Sequence, residues 1–137
     1  MQHPSASYDL AVCYEKGRGV KTNKKKALEL FVKAAKIGDT HASLEAGRMY
    51  YWGIGTSKDL GLSKDFFLRA ARGKIAEAEY YVGLMYEHGD GLKQNLTNAI
   101  KWYARASAGS GDFGKKALGA LARLKKQRGA FKRDRSD

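Results

Sequence analysis

Cysteine and proline are almost missing from this chain: one of each, Cys13 and Pro4, in 137 residues. A lone cysteine cannot close an internal disulfide, so cross-links do not hold the fold together. The compartment stays open, because a secreted protein can also lack disulfides. Long apolar runs are absent too; no stretch approaches the roughly 18 residues of a membrane-spanning helix. The first residues, Met1 to Ser5, show no basic region followed by an apolar core, so no signal peptide is expected there. Acidic residues are few beside basic ones, 14 against 26, which gives a formal charge of +12. Histidine is sparse. His3, His41 and His88 share no i, i+4 spacing and no cysteine cluster joins them, so no metal site is expected. No nucleophile–base pair or paired-carboxylate constellation can be placed either, and neither an enzyme nor a cofactor is expected.

What the chain does have is a repeat. Stepping by 36 residues carries Gly17/Gly19 onto Gly53/Gly55 and then Gly89/Gly91. The same step carries Tyr14 onto Tyr50 and Tyr86, Ala11 onto Gly47 and Gly83, and Phe31 onto Phe67 and Tyr103. Ala27-Leu28 maps onto Ala99-Ile100, but the middle copy breaks there with Ser63-Lys64. Self-similarity at a fixed period of this size marks a repeat array. Each period divides into two helices. In the first copy Tyr8, Ala11 and Tyr14 share one helical face, and Ala27, Leu28, Phe31, Ala34 and Ala35 share another. Pro4 falls where a first helical turn tolerates it. Gly17 ends the first helix, because glycine takes the left-handed cap conformation cheaply.

The expected helices are about 5–15 and 23–37, 40–51 and 59–72, and 76–87 and 95–108. Ala11, Gly47 and Gly83 lie mid-helix, where glycine costs about 1 kcal/mol against alanine. Small residues there imply close helix approach, with Tyr14, Tyr50 and Tyr86 expected to fill the space beside them. Cys13 aligns with Met49 and Met85 and reads as a packed apolar residue. Past residue 111 the pattern changes. Ala117, Leu118, Leu121, Ala122 and Leu124 make one apolar stripe on a basic helix, expected to cap the array over residues 112–128. A short charged tail, 129–137, is expected to fray.

The unit resembles the Sel-one-like repeat family, relatives of tetratricopeptide repeats. The resemblance rests on Ala78, Tyr80, Gly83, Tyr86, Gly89 and Gly91, continued by Ala99, Ile100, Trp102, Tyr103 and Ala106. It implies an all-α, right-handed α-solenoid of three helix–turn–helix repeats, about 4–39, 40–75 and 76–111, forming one domain with the capping helix. It also implies a protein–protein interaction module with no shared catalytic residues. In bacteria such proteins act in envelope assembly, host contact or immunity to secreted toxins. Some relatives carry a disulfide in every repeat; with Cys13 alone, this chain is not of that kind.

Two candidate surfaces follow. Opposite the motif residues, the first helices vary from copy to copy: Ser5, Asp9, Val12 and Lys16; His41, Glu45, Arg48 and Trp52; Glu77, Tyr81, Leu84 and His88. In superhelical arrays first helices line the concave side, which makes these positions a candidate protein-binding face. The alternative is plain solvent exposure. The second surface is the basic C-terminus, with Lys125, Lys126, Arg128, Lys132 and Arg133. From Lys115 onward nine Lys or Arg face two Asp. An acidic protein, nucleic acid or an anionic membrane would suit such charge, and a solvated cap helix would also carry it. A dedicated nucleic-acid binder interleaves aromatics with its basic residues to stack bases; here only Phe131 does so. The glycine pairs resemble fragments of phosphate loops but lack the preceding strand such loops need.

Overall fold

Alternating helix and glycine turn is also what the structure, a computed structural model, contains. It describes residues 4–135, with side chains described for 6–128. The helices are α1 (Pro4–Lys16), α2 (Lys24–Ile37), α3 (Thr40–Trp52), α4 (Leu60–Arg72), α5 (Ala76–His88), α6 (Leu96–Ser107) and α7 (Asp112–Arg135). No strand occurs among the described residues. The fold is therefore all-α, three helical pairs followed by one further helix. Among the described residues no helix is long and apolar enough to cross a membrane.

The turn chemistry repeats with the sequence. Gly17, Gly53 and Gly89 take φ of 71°, 70° and 73°, and the second glycines 19, 55 and 91 take 74°, 74° and 73°. This is left-handed backbone, which glycine adopts without a Cβ penalty. Asn23, Asp59 and Asn95 then cap α2, α4 and α6, each side chain accepting the N–H three residues on at 3.0 Å. Each cap residue also reaches back. Its own N–H donates to the carbonyl of Tyr14, Tyr50 or Tyr86 at 2.8–2.9 Å. The motif tyrosine is thus tied by its backbone to the start of the next helix, and this closes the hairpin.

The chain forms two compact units, Met1–Gly73 and Lys74–Asp137. In the first, α1 packs on α2, α2 on α3 and α3 on α4. Its core holds Ala11, Phe31, Ala46 and Met49, all at most 1% exposed. In the second, α5 packs on α6 and α7 packs on both. Its core is Ala99, Tyr103, Ala106, Ala117, Leu121 and their neighbours.

Three expectations need correction. The space beside the mid-helix glycines is filled by the second helix, not by the motif tyrosines. A Cβ on Gly47 would lie 2.7 Å from the Phe67 ring, and one on Gly83 2.7 Å from the Tyr103 ring. Tyr50 instead stacks on Phe66, with centroids 5.8 Å apart. Cys13 is only half-buried, whereas Met49 and Met85 are 1% and 0% exposed. It lines open space between α1 and α3 instead. Finally, α7 does not stop at 128 but continues through Gly129 to Arg135. One helical glycine costs about 1 kcal/mol, while the following Ala, Lys and Arg residues are good helix formers.

The break in the second copy is also accounted for. Ser63 is fully buried where the other copies carry alanine. Its hydroxyl donates to the Gly47 carbonyl at 2.8 Å, so no polar group is stranded.

Candidate functional site

In the first unit α1, the turn after it, the start of α2 and α3 enclose an open cleft. Its volume is about 630 Å³. Asp9, Val12, Cys13 and Lys16 line it from α1, Glu45 and Arg48 from α3, and Arg18 and Lys24 from the turn and the start of α2. Five of the positions singled out in the first two copies therefore meet in one place: Asp9, Val12, Lys16, Glu45 and Arg48. The two α3 members form a local ion pair. Arg48 Nη1 donates to Glu45 Oε2 at 2.8 Å, with side chains 39% and 17% exposed. Lys24 Nζ donates to the Glu15 carbonyl at 2.8 Å, near the C-terminal end of α1. At the apolar edge Tyr8 meets Phe31 edge-on, with centroids 5.6 Å apart. Burial first, then the carboxylates led by Glu45, push the Tyr8 phenol above its ordinary value. It stays protonated at neutral pH and keeps a hydroxyl to offer. The cleft combines both charges with a small apolar strip, which suits hydrogen bonding and charge pairing to a peptide segment.

The remaining expected residues of the first unit stand apart. His41 is exposed at the start of α3. Trp52, at its end, is 59% exposed, with its ring edge-on to Tyr51 at 4.8 Å.

In the second unit two of the equivalents lie beside α7 and its core. Tyr81 is half-buried beside Phe113 of α7, with centroids 6.0 Å apart. Leu84 packs against the core shared by α6 and α7. Glu77 is half-buried and His88 exposed. On α7, Lys125, Lys126 and Arg128 are exposed; the side chains of Lys132 and Arg133, like Phe131 and His3, lie outside the described residues.

Sequence reasoning missed the polar core of this unit. The Glu87 side chain is 8% exposed, and its Oε1 accepts from the Tyr103 hydroxyl at 2.7 Å. Both terminal guanidinium nitrogens of Arg123 donate to the same carboxylate, Nη2 to Oε1 at 3.0 Å and Nη1 to Oε2. The Arg123 bonds hold Glu87 below the usual carboxylate range despite its burial. Burial and the bond to Glu87 push the Tyr103 phenol well up. Glu79 behaves oppositely. Burial raises it, and the nearby charges of Arg105 and Lys74 offset this only in part. One signal was available: residues 87 and 123 are one period apart. No group of three or more His, Cys, Asp or Glu able to hold a metal occurs among the described residues.

The comparisons agree with this architecture. The family model for the Sel1 repeat matches residues 4–39, 40–74 and 76–110. The chain is similar to the crystal structure of a Sel1 repeat protein from Oxalobacter formigenes, with TM-score 0.81 and 31% identity over 87% of this chain and 48% of that one. It is similar to a protective antigen present in uropathogenic Escherichia coli strains that displays an SLR fold, with TM-score 0.74 and 30% identity over 77% and 22% of the two chains. Helicobacter pylori cysteine rich protein B shares the fold at TM-score 0.69, with 21% identity over 86% and 89%. The chain thus spans about half of the Oxalobacter protein and less of the Escherichia coli one. No curated protein matches it.

Proposed function

Because the chain belongs to the Sel1 repeat family, whose members are generally protein–protein interaction modules, we propose that it is a non-catalytic adaptor that binds a peptide or loop of a partner protein in the α1–α3 cleft. The observation that carries this reading is the convergence of Asp9, Val12, Lys16, Glu45 and Arg48 on one open cavity of about 630 Å³. These positions vary between copies while the residues that build the stack recur. Arg48 is the chosen anchor, since arginine is enriched among the few residues that dominate binding energy. The adaptor is of the kind used in envelope assembly, host contact or toxin immunity.

The test is selection of a displayed random-peptide library on the immobilised chain, followed by titration of the enriched peptides. Arg48→Glu and Val12→Lys should each weaken binding by roughly tenfold, the loss expected for about 1.4 kcal/mol. Enriched peptides that bind both variants as well as the parent would discard the cleft. A second reading, a nucleic-acid or anionic-surface binder, is favoured by the exposed Lys125, Lys126 and Arg128. It predicts affinity that falls steeply and linearly in log salt, whereas cleft binding should respond only modestly.

A further inference from the structure

The second unit carries a groove independent of that cleft. Its volume is about 310 Å³, and it is lined by Leu96, Thr97, Ile100, Leu124, Gln127 and Arg128. We propose that this groove docks an acidic amphipathic helix of a partner protein.

Three observations lead there. The lining is apolar along its floor, with Leu96, Ile100 and Leu124, and Leu96 is 48% exposed. Covering this leucine and the half-buried isoleucine beside it would remove further apolar surface from water. Next, the two helices are unequal. α6 has 12 residues and α7 has 24, or about 18 Å against about 36 Å at 1.5 Å per residue. The beginning of α6 lies beside Leu124 to Arg128, so α7 runs on to Arg135 past the point where α6 starts. In each repeat the first helix is covered by the second that follows it: α2 on α1, α4 on α3, α6 on α5. α7 packs on α6 and α5, and the groove lies where the start of α6 meets the Leu124–Arg128 part of α7.

The third observation selects the partner's charge. Arg128 lines the groove and is exposed, Lys125 is exposed on the flank of the same turn, and the whole helix holds nine Lys or Arg against Asp112 and Asp134. A helix with an apolar stripe at i, i+4 and i+7 and glutamates beside it satisfies floor and rim together. Nucleic acid would satisfy the rim alone, leaving the leucine floor against phosphate and sugar.

The probe is a fluorescein-labelled peptide of about 18 residues, long enough to be helical when bound, with that leucine stripe flanked by glutamate. Controls are its scrambled isomer and an oligouridine of similar charge. Binding to the full chain is read by fluorescence anisotropy. The striped peptide should bind at least roughly tenfold more tightly than the scrambled one. Leu96→Glu and Arg128→Glu should each remove most of that advantage, and Arg48→Glu in the other unit none of it. Residues 96 and 128 are exposed, so circular dichroism should show both variants folded. Equal binding of striped and scrambled peptides overturns the proposal. So does striped-peptide binding that ignores Leu96→Glu. Tighter binding of the oligouridine, lost with Arg128→Glu but kept with Leu96→Glu, overturns it in favour of nucleic acid.

Discussion

Arg123 follows Glu87 by one full period and grips its carboxylate with both terminal guanidinium nitrogens, tying α7 to α5. Surface ion pairs contribute about 0–1 kcal/mol, and breaking a buried pair costs about 3–5 kcal/mol. With Glu87 8% and Arg123 47% exposed, this contact falls between the two. Arg123→Met should cost about 1–3 kcal/mol, measured by urea denaturation at neutral pH.

The same contact sets a pH dependence. Glu87 titrates lower in the folded chain than in the unfolded one. Its stabilisation is therefore complete above the ordinary glutamate value of about 4.3 and fades as pH falls through the lower folded value. Glu79, raised by burial, contributes with the opposite sign, favouring the fold as it becomes protonated. Comparison with Glu87→Gln isolates the first effect. The variant should melt lower than the parent at pH 7, and the gap should close towards pH 3. A gap of constant size would assign the loss to packing rather than charge.

Gly47→Ala and Gly83→Ala should both destabilise, although alanine is the better helix former by about 1 kcal/mol. The added methyl would sit 2.7 Å from the ring of Phe67 or Tyr103, and overpacking costs about 1–3 kcal/mol. The comparison is Gly119→Ala in α7, where a Cβ meets nothing within 4 Å and the melting temperature should rise slightly.

The two aromatic candidates of the first-helix face should separate. Trp52 is 59% exposed and its ring meets Tyr51, the residue before it in the same helix, so Trp52→Ala should cost less than Tyr81→Ala, about 0.5 kcal/mol. Tyr81 meets Phe113 and Tyr80, and aromatic pairs contribute about 0.5–1.5 kcal/mol beyond area. Tyr81→Ala should therefore lower the melting temperature measurably, by calorimetry or circular dichroism.

The repeat, its helices and its glycine turns were legible because each depends on local chemistry copied three times. Gly53 ends α3 for the same reason that Gly17 ends α1. Periodicity did not show which ring faces which glycine. Gly83 and Tyr103 are 20 residues apart and meet only through the tilt of one helix on the next. Nor did it show that α7 would cover Tyr81 and Leu84 while their counterparts Glu45 and Arg48 line open space. Glu87 was hidden for another reason: its register partners are Glu15 and Tyr51, and only the final copy has an arginine one period on.

The backbone bonds from Asn23, Asp59 and Asn95 to Tyr14, Tyr50 and Tyr86 each close a loop of only nine residues. Loops of that length close in about 10–100 ns, and the entropy lost in closing them is small. Every hairpin turn can therefore begin to close from its own sequence before its neighbours pack on it. Chains dominated by such local contacts fold in microseconds to milliseconds. For this protein the folding order is then open to selection by whichever copy is locally strongest, as in one-dimensional arrays that nucleate anywhere and spread. Weakening one cap, as in Asp59→Ala, would shift nucleation to another hairpin and slow folding less than it lowers stability.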